Sequence, residues 1–77
     1  MQKESVTVFT SNGCGKCVAT KRALDNKKIK YDVRNISEDQ DAYDYVTKKL
    51  GYTSMPVVET DSEVWSGLDP AKIANIK

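Results

Sequence analysis

The chain has 77 residues with twelve basic and eleven acidic side chains, a formal net charge of +1, and no histidine. A chain this short supports one domain, residues 1–77, and buries only ~60% of the surface its unfolded form exposes, so a single compact core is expected. The even charge balance excludes a broad basic field for nucleic acid. No apolar run approaches the ~18 residues that span a membrane. The N-terminus lacks the charged-then-apolar layout of a secretory signal, so a cytoplasmic location is expected.

Residues Glu4 to Thr10 read as the first strand. Val6-Thr7-Val8-Phe9-Thr10 is β-branched or aromatic throughout, as suits a central strand covered on both faces. Asn12-Gly13 is a turn signal that closes it. A helix follows from about Gly15 to Asn26, with Cys17, Thr20, Ala23 and Leu24 forming an inward stripe. Lys27 and Lys28 follow its end, where the helix dipole favours cations. Ile29 to Ile36 alternates apolar and polar, which predicts a half-buried strand. Ser37 with Gln40 fits a capping box for a second helix, whose inward members are Ala42, Tyr45, Val46 and Leu50. Gly51 is its expected left-handed cap. Val57 to Thr60 and Glu63 to Trp65 form a hairpin across Asp61-Ser62. Asp69-Pro70 starts a last short helix with Ile73 and Ile76 inward. The order β-α-β-α-β-β-α, with a right-handed crossover between two parallel strands, predicts an α/β thioredoxin-like fold: a four-stranded mixed sheet with three helices.

Both cysteines lie in Cys14-Gly15-Lys16-Cys17, at a strand-to-helix junction. That spacing in that place is the sign of a thiol–disulfide site. Cys14 is expected at the helix tip, where unpaired N–H groups and the dipole favour a thiolate. Gly15 and Lys16 are the adjoining support for that charge. Such environments lower a cysteine pKa to ~3.5–7.5 from about 8.5. Cys14 is therefore the expected nucleophile. Cys17, one turn on and facing inward, is the expected resolving thiol. Zinc usually needs four cysteine or histidine ligands, which one chain of this composition does not supply, so no metal is expected. A loop this short constrains the unfolded chain little, which argues against a purely structural disulfide.

Two further features leave alternatives open. Met55-Pro56 reads either as a plain strand-edge proline or as a cis bond facing the cysteines, with the Met55 backbone free to pair with an extended substrate. Trp65, before Ser66-Gly67, reads either as core or as a partly exposed docking residue. Core is the favoured reading on physical grounds.

Several stretches together resemble the NrdH-redoxins, glutaredoxin-like proteins that behave as thioredoxins. They are Ala19 to Asp25 after the cysteines, Asp44-Tyr45-Val46, Leu50-Gly51-Tyr52, Met55-Pro56-Val57-Val58 and Trp65-Ser66-Gly67. The resemblance covers nearly the whole chain. Gly15-Lys16, Asn12-Gly13 and Leu68 depart from its usual pattern. It implies Cys14 and Cys17 as the redox pair, Pro56 as a cis proline, and a docking surface formed by Ser54, Met55, Pro56, Trp65, Ser66 and Gly67. It implies a monomeric electron carrier with protein-disulfide reductase activity and no bound cofactor. Its electrons would come from NADPH through thioredoxin reductase, and its acceptor would be the large subunit of a class Ib ribonucleotide reductase. Trp65-Ser66-Gly67 stands where glutathione-using glutaredoxins carry a Gly-Gly and acidic pair. The alternatives are a glutathione-dependent glutaredoxin and an iron–sulfur-binding dimer bridged through Cys14.

Overall fold

The structure is a computed structural model and describes residues 2–77. The elements are β1 (Thr7–Thr10), α1 (Gly15–Asn26), β2 (Asp32–Asn35), α2 (Gln40–Asp44), β3 (Val57–Glu59), β4 (Val64–Ser66) and α3 (Pro70–Ala74). A π-helical turn, Tyr45–Lys49, continues α2. The sheet order is β2-β1-β3-β4, which makes β1 central. β1 runs parallel to β2 and antiparallel to β3, and β3 pairs antiparallel with β4. This is the thioredoxin-like arrangement expected from the element order.

Alternation along β1 builds two cores, because successive strand side chains point to opposite faces. Val8 lies opposite Val58, and Val58 lies opposite Trp65. This row packs against Val6, Leu24 and Ile73, so α1 and α3 cover one face. Phe9 pairs with Val57 and packs against Ala42 and Val46, so α2 covers the other. Leu24 and Val46 are completely buried. Removing a leucine side chain from water contributes about 1.5–3 kcal/mol, a large share of the stability of so small a domain. The α1 stripe is therefore what fixes the helix, and with it the cysteines, against the sheet.

Three local features differ from the sequence reading. The second helix is capped by Asp39, not Ser37. The Asp39 carboxylate accepts the Ala42 N–H at 3.1 Å and the Arg34 guanidinium at 3.1 Å. Ser37 is engaged elsewhere: its Oγ accepts the Asn12 N–H at 3.1 Å. The second strand is also shorter than Ile29 to Ile36. The Ile29 N–H bonds the Leu24 carbonyl and closes α1, while the Lys30 backbone is held by the Gln2 side chain, so pairing with β1 begins only near Asp32. Val33 lies 47% exposed on this edge strand, which breaks the expected half-buried pattern. Finally, the second helix widens in its last turn. The Leu50 N–H reaches the Tyr45 carbonyl at 3.0 Å, and Tyr52 bonds Val46 across Gly51, whose φ is +80°.

The Asp39 cap gives a pH dependence. The Ala42 N–H, and then Arg34, hold its carboxyl below the ordinary aspartate range. A depressed folded-state pKa contributes stability that is present above the unfolded value of about 3.9 and is lost as pH falls through the folded value. Urea unfolding measured between about pH 5 and pH 2 is expected to show a shallower acid loss for Asp39→Ala than for the wild type. Parallel profiles would show that Asp39 titrates alike in both states.

Candidate active site

The site forms where β1 ends. The chain leaves Thr10, turns through Asn12-Gly13, and enters α1 at Cys14. Gly13 has φ +74°, a left-handed conformation that glycine adopts without cost. Two contacts tie the loop to the end of β2. The Asn12 N–H donates to Ser37 Oγ at 3.1 Å, and Asn35 Nδ2 donates to Asn12 Oδ1 at 3.0 Å. The entry to α1 is thus held from the side by the neighbouring strand. Ser37 and Asn35 are not among the site residues expected from the sequence. Neither carries a motif; only the parallel register brings them to the loop.

Cys14 is the N-cap residue of α1, with extended backbone angles (φ −88°, ψ 101°). Its sulfur accepts the Cys17 N–H at 3.1 Å. That N–H is among those a helix start leaves without a carbonyl partner. The two cysteines form a disulfide, with Cα atoms 5.3 Å apart. Their surroundings differ. Cys17 is 2% exposed and sits on the buried stripe with Thr20 and Leu24, whereas Cys14 is half-buried. Gly15 and Lys16 are exposed beside them. In the dithiol form this arrangement offers a thiolate at position 14 a ready hydrogen-bond donor, and it keeps the second sulfur within one helical turn.

An open cavity of about 410 Å³ borders the pair. Thr10 to Gly15, Cys17, Val18, Lys21 and Asn35 line it. Val18 is 53% exposed, an apolar side chain on the rim. Its place one residue after Cys17, off the buried stripe, was the signal in the sequence.

The expected docking residues on the β3–β4 side do not line this cavity. The Met55–Pro56 bond is cis, as the second reading of this proline expects. The β1–β3 register pairs Phe9 with Val57, the residue that follows Pro56. Pro56 is buried, Met55 is half-buried, and Ser54 is exposed. The Gly67 N–H donates to the Pro56 carbonyl at 2.8 Å, and Ser66 Oγ donates to the Ser54 carbonyl at 2.8 Å. Four of the expected docking residues are therefore one bonded unit. Met55 makes no backbone hydrogen bond among the described residues.

Trp65 is the correction. It is only 5% exposed and packs in the core with Val8, Leu24, Val58 and Ile73, so its ring is not a docking surface. The strand period explains this: Trp65 faces α1 and α3, and the flanking Val64 and Ser66 face the other way. The ammonium of Lys72 stands 5.9 Å from its ring centre.

Comparison with known proteins agrees with this geometry. The glutaredoxin family model matches residues 6–65. A glutaredoxin-like protein NrdH of Salmonella typhimurium is 35% identical over 69 residues, covering 90% of this chain and 84% of that protein. The gene 56 protein of Mycobacterium phage L5 is 44% identical over 57 residues, covering 74% of this chain and 55% of that one. Among solved structures, the NrdH-redoxin of Escherichia coli superposes with a TM-score of 0.88 at 30% identity over 95% of both chains. It is described as a glutaredoxin-like protein with a thioredoxin-like activity profile. The half-buried Cys14 at a helix start, the cis Met55–Pro56 bond and these matches together make the chain a member of the glutaredoxin family, of the NrdH-redoxin type.

Proposed function

We propose that the protein is a dithiol electron carrier, reduced by thioredoxin reductase at the expense of NADPH, that reduces protein disulfides. Its acceptor in this reading is the large subunit of a class Ib ribonucleotide reductase. It works in the reducing cytoplasm, as a monomer and without a bound cofactor. The observation that carries the proposal is the unequal placement of the two sulfurs: Cys14 at the helix start with the Cys17 N–H on it, Cys17 buried.

The reaction follows from that placement. The Cys14 thiolate attacks one sulfur of the target disulfide, and the other target sulfur leaves as a thiolate. A mixed disulfide now joins Cys14 to the target. Cys17 loses its proton and attacks Cys14 Sγ, which releases the second target thiolate and leaves the Cys14–Cys17 disulfide. Two electrons have passed to the target. Thioredoxin reductase returns them. The Met55 backbone, without a hydrogen bond among the described residues, suits an extended target segment laid along the site, in the manner of an added strand. Lys16 and Gly15 leave the approach to Cys14 open.

The loop after β4 favours a protein reductant over glutathione. Its polar groups are already engaged: Ser66 Oγ with Ser54, the Gly67 N–H with Pro56, and the Asp69 carboxylate with the Lys72 N–H at 3.2 Å. A tripeptide would have to displace these bonds. The thioredoxin-like profile ascribed to the Escherichia coli relative supports the same choice.

Two experiments test the proposal. Cys14→Ser is expected to abolish disulfide reduction, whereas Cys17→Ser is expected to accumulate a mixed disulfide with its target on non-reducing gels. Activity retained in Cys14→Ser would reverse the roles. In a regeneration assay, NADPH with thioredoxin reductase is expected to reduce the oxidised protein efficiently and glutathione poorly. The opposite preference would make it a glutathione-dependent glutaredoxin.

A further inference from the structure

The turn Asn12-Gly13 has chemistry of its own, apart from aiming Cys14. An asparagine amide can be attacked by the backbone nitrogen of the next residue, and two things usually prevent it: a side chain that crowds that nitrogen, or a hydrogen bond that holds it. The chain has four asparagines. Asn26, Asn35 and Asn75 are followed by Lys27, Ile36 and Ile76. All three following nitrogens are committed to backbone bonds, Lys27 to Leu24 at 3.2 Å, Ile36 to Thr10 at 2.8 Å and Ile76 to Ile73 at 3.2 Å. Gly13 differs on both counts. It has no side chain, a Cβ built there would meet nothing within 4 Å, and its N–H makes no hydrogen bond among the described residues.

The electrophile is also prepared. Asn12 is exposed, and its backbone is anchored to Ser37. Asn35 Nδ2 donates to Asn12 Oδ1 at 3.0 Å, the oxygen on which negative charge develops during attack at Cγ. A donor aimed at a developing oxyanion lowers the barrier to its formation. We propose that Asn12-Gly13 is a self-modification site, at which the chain loses the Asn12 amide as ammonia. The Gly13 nitrogen bonds to Asn12 Cγ, its proton passes to the departing Nδ2, and the Cγ–Nδ2 bond breaks to give a cyclic imide. Water opens the imide to aspartate or isoaspartate. No electron carrier takes part.

The product places a carboxylate two residues before Cys14. Where Cys14 is the nucleophile proposed above, this charge opposes its thiolate. A like charge this near in the chain disfavours the thiolate and lowers its fraction. The carrier would thereby slow with age.

Incubation of the full-length protein at mildly alkaline pH, followed by peptide mass spectrometry and labelling by isoaspartyl methyltransferase, tests the site. The expected result is loss of the Asn12 amide while Asn26, Asn35 and Asn75 keep theirs. An intact Asn12, or loss at all four together, overturns it. This readout is independent of the role of Cys14, which the regeneration assay tests separately. For the consequence, Asn12→Asp is expected to lower the iodoacetamide reactivity of reduced Cys14 at pH values below its pKa. Unchanged reactivity would overturn the effect on the thiolate.

Discussion

A helix begins with backbone N–H groups that have no carbonyl to bond, and here the Cys17 N–H meets that need at the Cys14 sulfur, 3.1 Å away. The rest of the structure serves this contact. Leu24 and Thr20, both fully buried, hold α1 down on the sheet and carry Cys17 out of solvent on the same stripe. Rotating the helix would expose that stripe, so its burial sets how the first turn sits against the sheet. The asymmetry between the two sulfurs is therefore a packing consequence before it is a chemical one.

The loops at this edge of the sheet are held by different means. On one side, Asn12 is pinned to the end of β2 by Ser37 and Asn35, a contact that exists only because β1 and β2 are parallel and end together. On the other, Pro56, Ser54, Ser66 and Gly67 are joined by two hydrogen bonds at the end of the β3–β4 hairpin. A parallel pair and an antiparallel hairpin thus deliver their loops to one edge. The same pinning that aims Cys14 leaves the Gly13 nitrogen as an uncommitted nucleophile beside the Asn12 amide.

Much of this was legible in the sequence, and the exceptions have physical causes. The bounds of α1, its buried stripe and the sheet topology follow from periodicity and from the Cys-x-x-Cys position. The Asp69 cap before Pro70 was equally plain. The cap of α2 was not: Ser37, Asp39 and Gln40 each suit a helix start, and the choice fell to Asp39 because Arg34 on β2 and the Ala42 N–H share its carboxylate. Val33 was misread because period two says which face a residue takes but not whether anything covers that face. Trp65 shows the reverse. The strand period put it inward, as the physical argument favoured, while the family likeness suggested a docking side chain. The exposed apolar side chain of Val18 lines the cavity beside the cysteines.

The central claim is that the fold gives Cys14, and not Cys17, a stabilised thiolate. The pH dependence of alkylation in the reduced protein, with the modified cysteine identified by peptide mapping, tests it most directly. The account predicts label on Cys14 alone, with an apparent pKa in the range of about 3.5–7.5. Labelling of both cysteines at equal rates, or a Cys14 pKa near the ordinary 8.5, would contradict it.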